Sequence, residues 1–224
     1  VKKFREEREL SVVLLVDASS SGRFGTRDRF KSEVAAELCA LLAFSAIKNS
    51  DKVGLIIFTD RIEKFVPPKK GRSHVLRLIR EVLFFQPQGV ATDIGMALEY
   101  LSKVIKRKSV VFLVSDFFFE DYTKPLQVAN KKHDIIAMKI CDPRERVFED
   151  VGLIELEDTE TGEVVLINTG SKEFRREFAA RADEDLQNLK RSFKLVNMDF
   201  INIQTDQSYI APLVSFFKMR EKRH

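Results

Sequence analysis

Asp17, Ser19 and Ser21 stand on alternate residues immediately after five apolar ones, residues 12–16 (VVLLV). A carboxylate and two hydroxyls at that spacing are hard oxygen donors, which suit Mg²⁺ or Mn²⁺ better than zinc. Two more places carry donors of the same kind. Asp116 follows the apolar run at 110–114 and Ser115, and Thr92 lies in a Gly-containing loop that opens a helix. The first of these places has a local alternative: an Asx-type turn capping the strand, with the serines bonding nearby backbone. Three such places meeting at one edge is a stronger signal than any one of them.

The elements around these residues decide whether they can meet. The run at 12–16 suits a central parallel strand covered on both faces. Open α/β sheets bind ligands where such strands emerge at their carboxyl ends. Residues 31–48 carry Val34, Leu38, Leu41 and Leu42 near helical spacing, and 53–58 (VGLIIF) reads as a second buried strand. Residues 61–66 alternate polar and apolar, which predicts an antiparallel edge strand stopped by Pro67-Pro68. Helices are predicted over 73–85, 92–106, 123–132, 172–191 and 209–220, and strands over 110–114, 134–140 and 195–203. Residues 153–156 and 164–167 flank the turn DTETGE as a hairpin. The sum is an α/β fold: a doubly wound, mostly parallel sheet with helices on both faces and one antiparallel edge strand, in a single domain over 1–224.

Composition narrows the function classes. The 38 basic and 34 acidic residues give a mixed surface of net charge +4. Basic clusters at 69–72, 106–108 and 218–224 sit at helix ends or the terminus, with no interleaved aromatics, so no nucleic-acid partner is expected. No apolar run reaches the ~18 residues of a membrane span and no signal-peptide pattern opens the chain. A cytoplasmic fragment without membrane contact is the expectation. The chain begins at Val1 rather than Met, so upstream sequence is expected to be missing, and an upstream anchor stays open. Cys39 and Cys141 lack metal spacing and read as small buried hydrophobes.

With these residues placed, the sequence resembles a von Willebrand factor A-type domain, and more closely the domain-of-unknown-function family 58. The stretches that carry the resemblance are FREEREL at 4–10, DASSSGRFG at 17–25, DKVGLIIFTD at 51–60, VPPKKG at 66–71 and SDFF at 115–118. His133-Asp134, Asp142-Pro143 with Glu145, and DTETGE at 158–163 extend it over nearly the full length. The resemblance implies a metal-ion-dependent adhesion site. Ser19, Ser21 and Thr92 would supply hydroxyls to it, and Asp17 and Asp116 carboxylates, directly or through water. Two residues separate Gly89 from Thr92, a departure from the family's pattern, and Asp93 is a competing ligand or a helix-start carboxylate. The resemblance further implies a protein partner whose acidic residue completes the metal shell, and work beside a MoxR-type AAA+ ATPase in assembly or maturation of other proteins.

Phe117, Phe118 and Phe119 follow the aspartate directly, either as core filling or as an exposed aromatic rim for a partner. His74 and His133 have no spacing for a metal or a triad and read as structural. The loop at 22–25 (GRFG) lacks the Gly-Lys-Ser/Thr of a phosphate-binding loop. The main reading is a non-enzymatic, metal-dependent interaction module. The alternative is a metal-assisted phosphohydrolase at the same sheet edge, though the position two after Asp17 holds Ser19 rather than a second carboxylate.

Overall fold

In the computed structural model, which describes residues 10–20, 29–118, 122–157 and 164–221, the apolar run at 12–16 becomes the middle of a six-stranded sheet. β1 (Ser11–Asp17) pairs in parallel with β2 (Lys52–Phe58) on one side and with β4 (Val110–Ser115) on the other. β3 (Ile62–Lys69) closes one edge antiparallel to β2. β5 (Asp134–Cys141) and β8 (Asp199–Gln204) extend the other edge in parallel. The order β3-β2-β1-β4-β5-β8 reverses between β1 and β4, so the ends of those two strands face the crevice where doubly wound sheets bind ligands.

Alternation along β1 sends its side chains into two cores. Val12, Leu14 and Val16 pack with α1 (Lys31–Lys48), α2 (Arg72–Leu83) and α6 (Ile210–Glu221). Val13 and Leu15 pack with α3 (Ile94–Val104), α4 (Thr123–Lys132) and Phe193 near the end of α5 (Lys172–Leu195). Burial on both faces is what a continuous apolar run requires. The fold class read from the sequence is the one observed. β6 (Leu153–Glu157) and β7 (Val164–Asn168) form a separate two-stranded ribbon.

Two boundaries differ from the sequence reading. Pro67-Pro68 does not stop β3, which runs on to Lys69 with a register shift between Val53 and Leu55 of its partner. An edge strand tolerates proline because the missing N–H faces away from the sheet. Gly54 makes room for it: a Cβ there would come within 2.8 Å of the Pro68 ring. The strand expected from Leu195 begins only at Asp199, because α5 runs on to Leu195 and Asn197 turns the chain with φ 51°. Phe193 and Met198 are both core residues, so the apolar signal there belongs to a docked helix end and the turn after it.

His74 bonds the Val53 carbonyl at 2.9 Å, and His133 is buried with neither ring nitrogen hydrogen-bonded. His74 is thereby tied to the backbone of β2, and His133 is the C-cap of α4. Burial, aided by Lys132, depresses the His133 imidazole to about 4. The unfolded chain therefore takes up a proton that the native state refuses, and stability falls as pH drops below ~6.5. Between pH 7 and 5 this group should cost roughly 2 kcal/mol. Urea unfolding at the two pH values should show that loss, and His133→Leu should lose less by about that amount.

Candidate metal centre

β1 and β4 end side by side, and each delivers an aspartate. Asp17 is partly buried and Asp116 fully so. Asp17 Oδ1 accepts the Ser19 N–H at 3.0 Å, and its Oδ2 accepts the Ser115 hydroxyl at 2.7 Å. Ser115 Oγ in turn accepts the Phe117 N–H at 3.1 Å. The Asx-type turn and the donor cluster thus coexist, since the turn is what aims the carboxylate. Burial first, then the charge of Asp116, pushes the Asp17 carboxyl up to about 6. A buried carboxylate whose proton affinity is raised by a second one marks a site short of positive charge.

Part of that charge comes from Lys31, the first residue of α1. Its side chain is 4% exposed, with Nζ 2.8 Å from Asp116 Oδ2 and 2.6 Å from Glu145 Oε1. Burial works against the ammonium, yet Asp116 and Glu145 outweigh it and hold Lys31 above the ordinary lysine range. Glu145 sits in the 3₁₀ turn Pro143–Glu145 just after β5. Its other oxygen accepts the Asp142 N–H at 3.2 Å, and Asp142 accepts from Arg144 N and the Thr205 hydroxyl. Lys139, on β5, donates to the Asp116 carbonyl. Asp17, Ser19, Lys31, Ser115 and Asp116 line one small crevice.

The Thr92 loop is brought to the same edge. Ser20 N and Oγ both donate to the Val90 carbonyl, at 3.1 and 2.9 Å. Glu63 Oε1 gathers the N–H groups of Gln88 and Gly89 and the Thr59 hydroxyl. A side chain at position 89 would overlap Thr59 and Asp60, which accounts for the glycine. Thr92 Oγ1 is buried without a hydrogen-bond partner. An orphaned hydroxyl of this kind calls for a ligand. Asp93 takes the helix-start role: it is the N-cap of α3 and accepts the Met96 N–H at 2.8 Å.

The donor set fits a hard divalent ion. Asp17 and Asp116 would offer carboxylates to it, and Ser19 and Thr92 hydroxyls, all of them hard oxygen donors. Among the described residues no group of three or more His, Cys, Asp or Glu forms, so hydroxyls would have to complete the shell. Ser21 and Phe119 lie outside the described residues.

Phe117 corrects the aromatic-rim expectation. It is buried, takes φ 54°, and packs against Phe193 and Tyr122 at centroid distances of 5.2 and 6.1 Å. The left-handed turn after Asp116 sends it into the core. Phe118 stays at the surface, 59% exposed, with its ring 5.6 Å from Lys31 Nζ and 4.9 Å from Lys139 Nζ. Lys31, Lys139, Ser115 and Glu145 had no role in the sequence reading. Ser115 and Glu145 stood in family-like stretches, whereas nothing local marks a helix-opening lysine as buried.

A doubly wound sheet with an aspartate at the end of each switch-point strand, beside a threonine-bearing loop, is the arrangement that the resemblance to von Willebrand factor A-type domains leads one to expect. Residues 1–188 match the family described as Protein of unknown function DUF58, and the chain belongs to that family. Uncharacterized protein Rv1480 of Mycobacterium tuberculosis is 27% identical over 225 residues, covering 99% of this chain and 71% of that protein. Two solved structures share the fold. BatB from Bacteroides thetaiotaomicron gives a TM-score of 0.59 at 13% identity, covering 95% of this chain and 98% of that one. An aerotolerance-related membrane protein from Bacteroides fragilis gives 0.61 at 15%, covering 95% and 99%. Among the described residues of the present chain, no helix is long and apolar enough to cross a membrane.

Lys31→Met should leave Asp116 and Glu145 without their shared cation and cost about 3–5 kcal/mol. Adding Glu145→Leu should recover part of that loss, which denaturant unfolding of the single and double variants will measure.

Proposed function

We propose that this chain is a metal-dependent protein-interaction module, holding Mg²⁺ or Mn²⁺ through Asp17, Ser19, Ser21, Thr92 and Asp116. The observation that carries the reading is the buried, unpartnered Thr92 hydroxyl, in a loop tied to Ser20, at the edge where two aspartates emerge from neighbouring parallel strands. When bound, the ion supplies an electrophilic position open to an outside carboxylate. Asp17 and Asp116 provide the negative charge, and the hydroxyls orient without adding more. Lys31 fixes Asp116 from behind and offsets part of its charge. Phe118 offers an apolar rim for the partner's neighbouring side chain. The partner is a protein with an exposed Glu or Asp, and a MoxR-type AAA+ ATPase is the first to try. The fragment is read as one domain, working as a binding module rather than an enzyme.

A second reading draws on Lys31, because metal-assisted phosphoryl chemistry wants a lysine in its crevice. Here the ammonium is held between Asp116 and Glu145, and Ser19 stands where a second carboxylate would be needed. No hydrolysis of phosphate esters with Mg²⁺ is therefore expected. Turnover that disappears in Asp17→Asn would establish the enzyme instead.

Metal at a hundred times its dissociation constant should stabilise the fold by ~2.7 kcal/mol. For a chain of this size the melting temperature should rise by roughly 5–10 °C. Asp17→Ala should abolish the rise, whereas an equal rise in that variant places the metal elsewhere. Partners captured from the native host should be lost in EDTA and with Asp116→Ala.

A further inference from the structure

The ribbon β6–β7 stands apart from the six-stranded sheet, and no further strand joins either of its edges among the described residues. Its register puts Ile154 opposite Ile167 and Leu156 opposite Val165 on one face. The other face carries Leu153, Glu155 and Glu157 from β6, with Val164 and Leu166 opposite the two glutamates. Leu153 and Leu166 are 66% and 62% exposed. A two-stranded ribbon is marginal by itself in water, and its open edge is a template for another strand.

Charge sets this ribbon apart from the rest of the chain. Residues 149–168 contain seven Asp or Glu and no Lys or Arg, in a chain of net charge +4. Glu149 and Asp150 are answered by Arg144 and Arg175, at 3.8 and 3.2 Å. Glu155 and Glu157 are exposed and make no ion pair among the described residues. From Ile154 to Glu157 β6 therefore alternates, with apolar Ile154 and Leu156 on one face and acidic Glu155 and Glu157 on the other.

The geometry points to β6 as a docking edge for an extended segment of another protein in which basic and apolar residues alternate. Neighbours across paired strands share a face. A strand added beside β6 thus sets its Lys or Arg against Glu155 and Glu157, and its apolar side chains against Ile154 and Leu156. Main-chain hydrogen bonds hold the segment, and the alternation selects it. An anionic lipid surface or a nucleic acid meets like charge here. The edge uses neither Asp17 nor Asp116, so its occupation is independent of metal.

The test uses the intact chain and two end-capped eight-residue peptides, one alternating Val with Lys and the other Val with Glu. Binding is followed by NMR shifts at low salt, with and without EDTA. The Lys peptide should bind with shifts centred on β6, and the Glu peptide at least about tenfold more weakly, as two cross-strand charge pairs turned repulsive imply. Glu155→Lys with Glu157→Lys should reverse the preference, a gain that an unfolded variant cannot show. Glu173→Lys on α5 should change nothing. The assignment fails if the Lys peptide does not bind, if its binding survives the double reversal, or if its shifts centre away from β6.

Discussion

Asp17 and Asp116 bring two negative charges onto adjacent strands at a depth where water screens them poorly, and much of the surrounding architecture answers that. Parallel pairing of β1 with β4 fixes their separation, so they cannot swing apart to relieve repulsion. Relief comes from hydrogen-bond donors and one cation. Ser19 N–H and the Ser115 hydroxyl serve Asp17, and Lys31 serves Asp116. Burial, and after it the charge of Asp116, still push the Asp17 carboxyl up to about 6. A small, hard cation would offset that charge most directly, since charge at contact distance in a medium of reduced dielectric outweighs any further hydrogen bond.

That arrangement reaches beyond the crevice through Lys31. The residue is at once the start of α1, the counter-charge of Asp116 and the partner of Glu145. Glu145 lies in a turn whose own capping bonds involve Asp142, which receives the Thr205 hydroxyl from the end of β8. The ends of four strands and the start of one helix are thus joined by a short chain of polar contacts. Glu63 plays the matching part on the other side, gathering the backbone ahead of Thr92.

The fold was legible because its strands are buried on both faces, which writes each as an unbroken apolar run. Asp17 and Asp116 were legible for the same reason, as each breaks such a run at its carboxyl end. Lys31 was not, because a lysine at a helix start looks like any solvated lysine until a carboxylate from 85 positions away is folded onto it. Phe117 was ambiguous because three consecutive phenylalanines carry no periodicity, and the left-handed turn that separates Phe117 from Phe118 depends on tertiary packing. Leu195 misled because an apolar residue in the last turn of a docked helix resembles the start of a strand. Pro67-Pro68 misled because the register shift opposite Gly54 that admits the second ring depends on the partner strand.

That proline pair has a further consequence for how copies of the protein meet. Over residues 67–68 the outer strand presents no N–H groups, and the bulge beside them disturbs the ladder there. Another chain arriving edge-on finds an interrupted row of donors and cannot zip along β3. Sheet-to-sheet polymerisation is thereby discouraged along this side, including in partly folded molecules, where a long edge would be most exposed. Gly54 is what lets the prolines lie against β2 at all. The smallest residue in the second strand thus helps to keep this edge closed to another sheet.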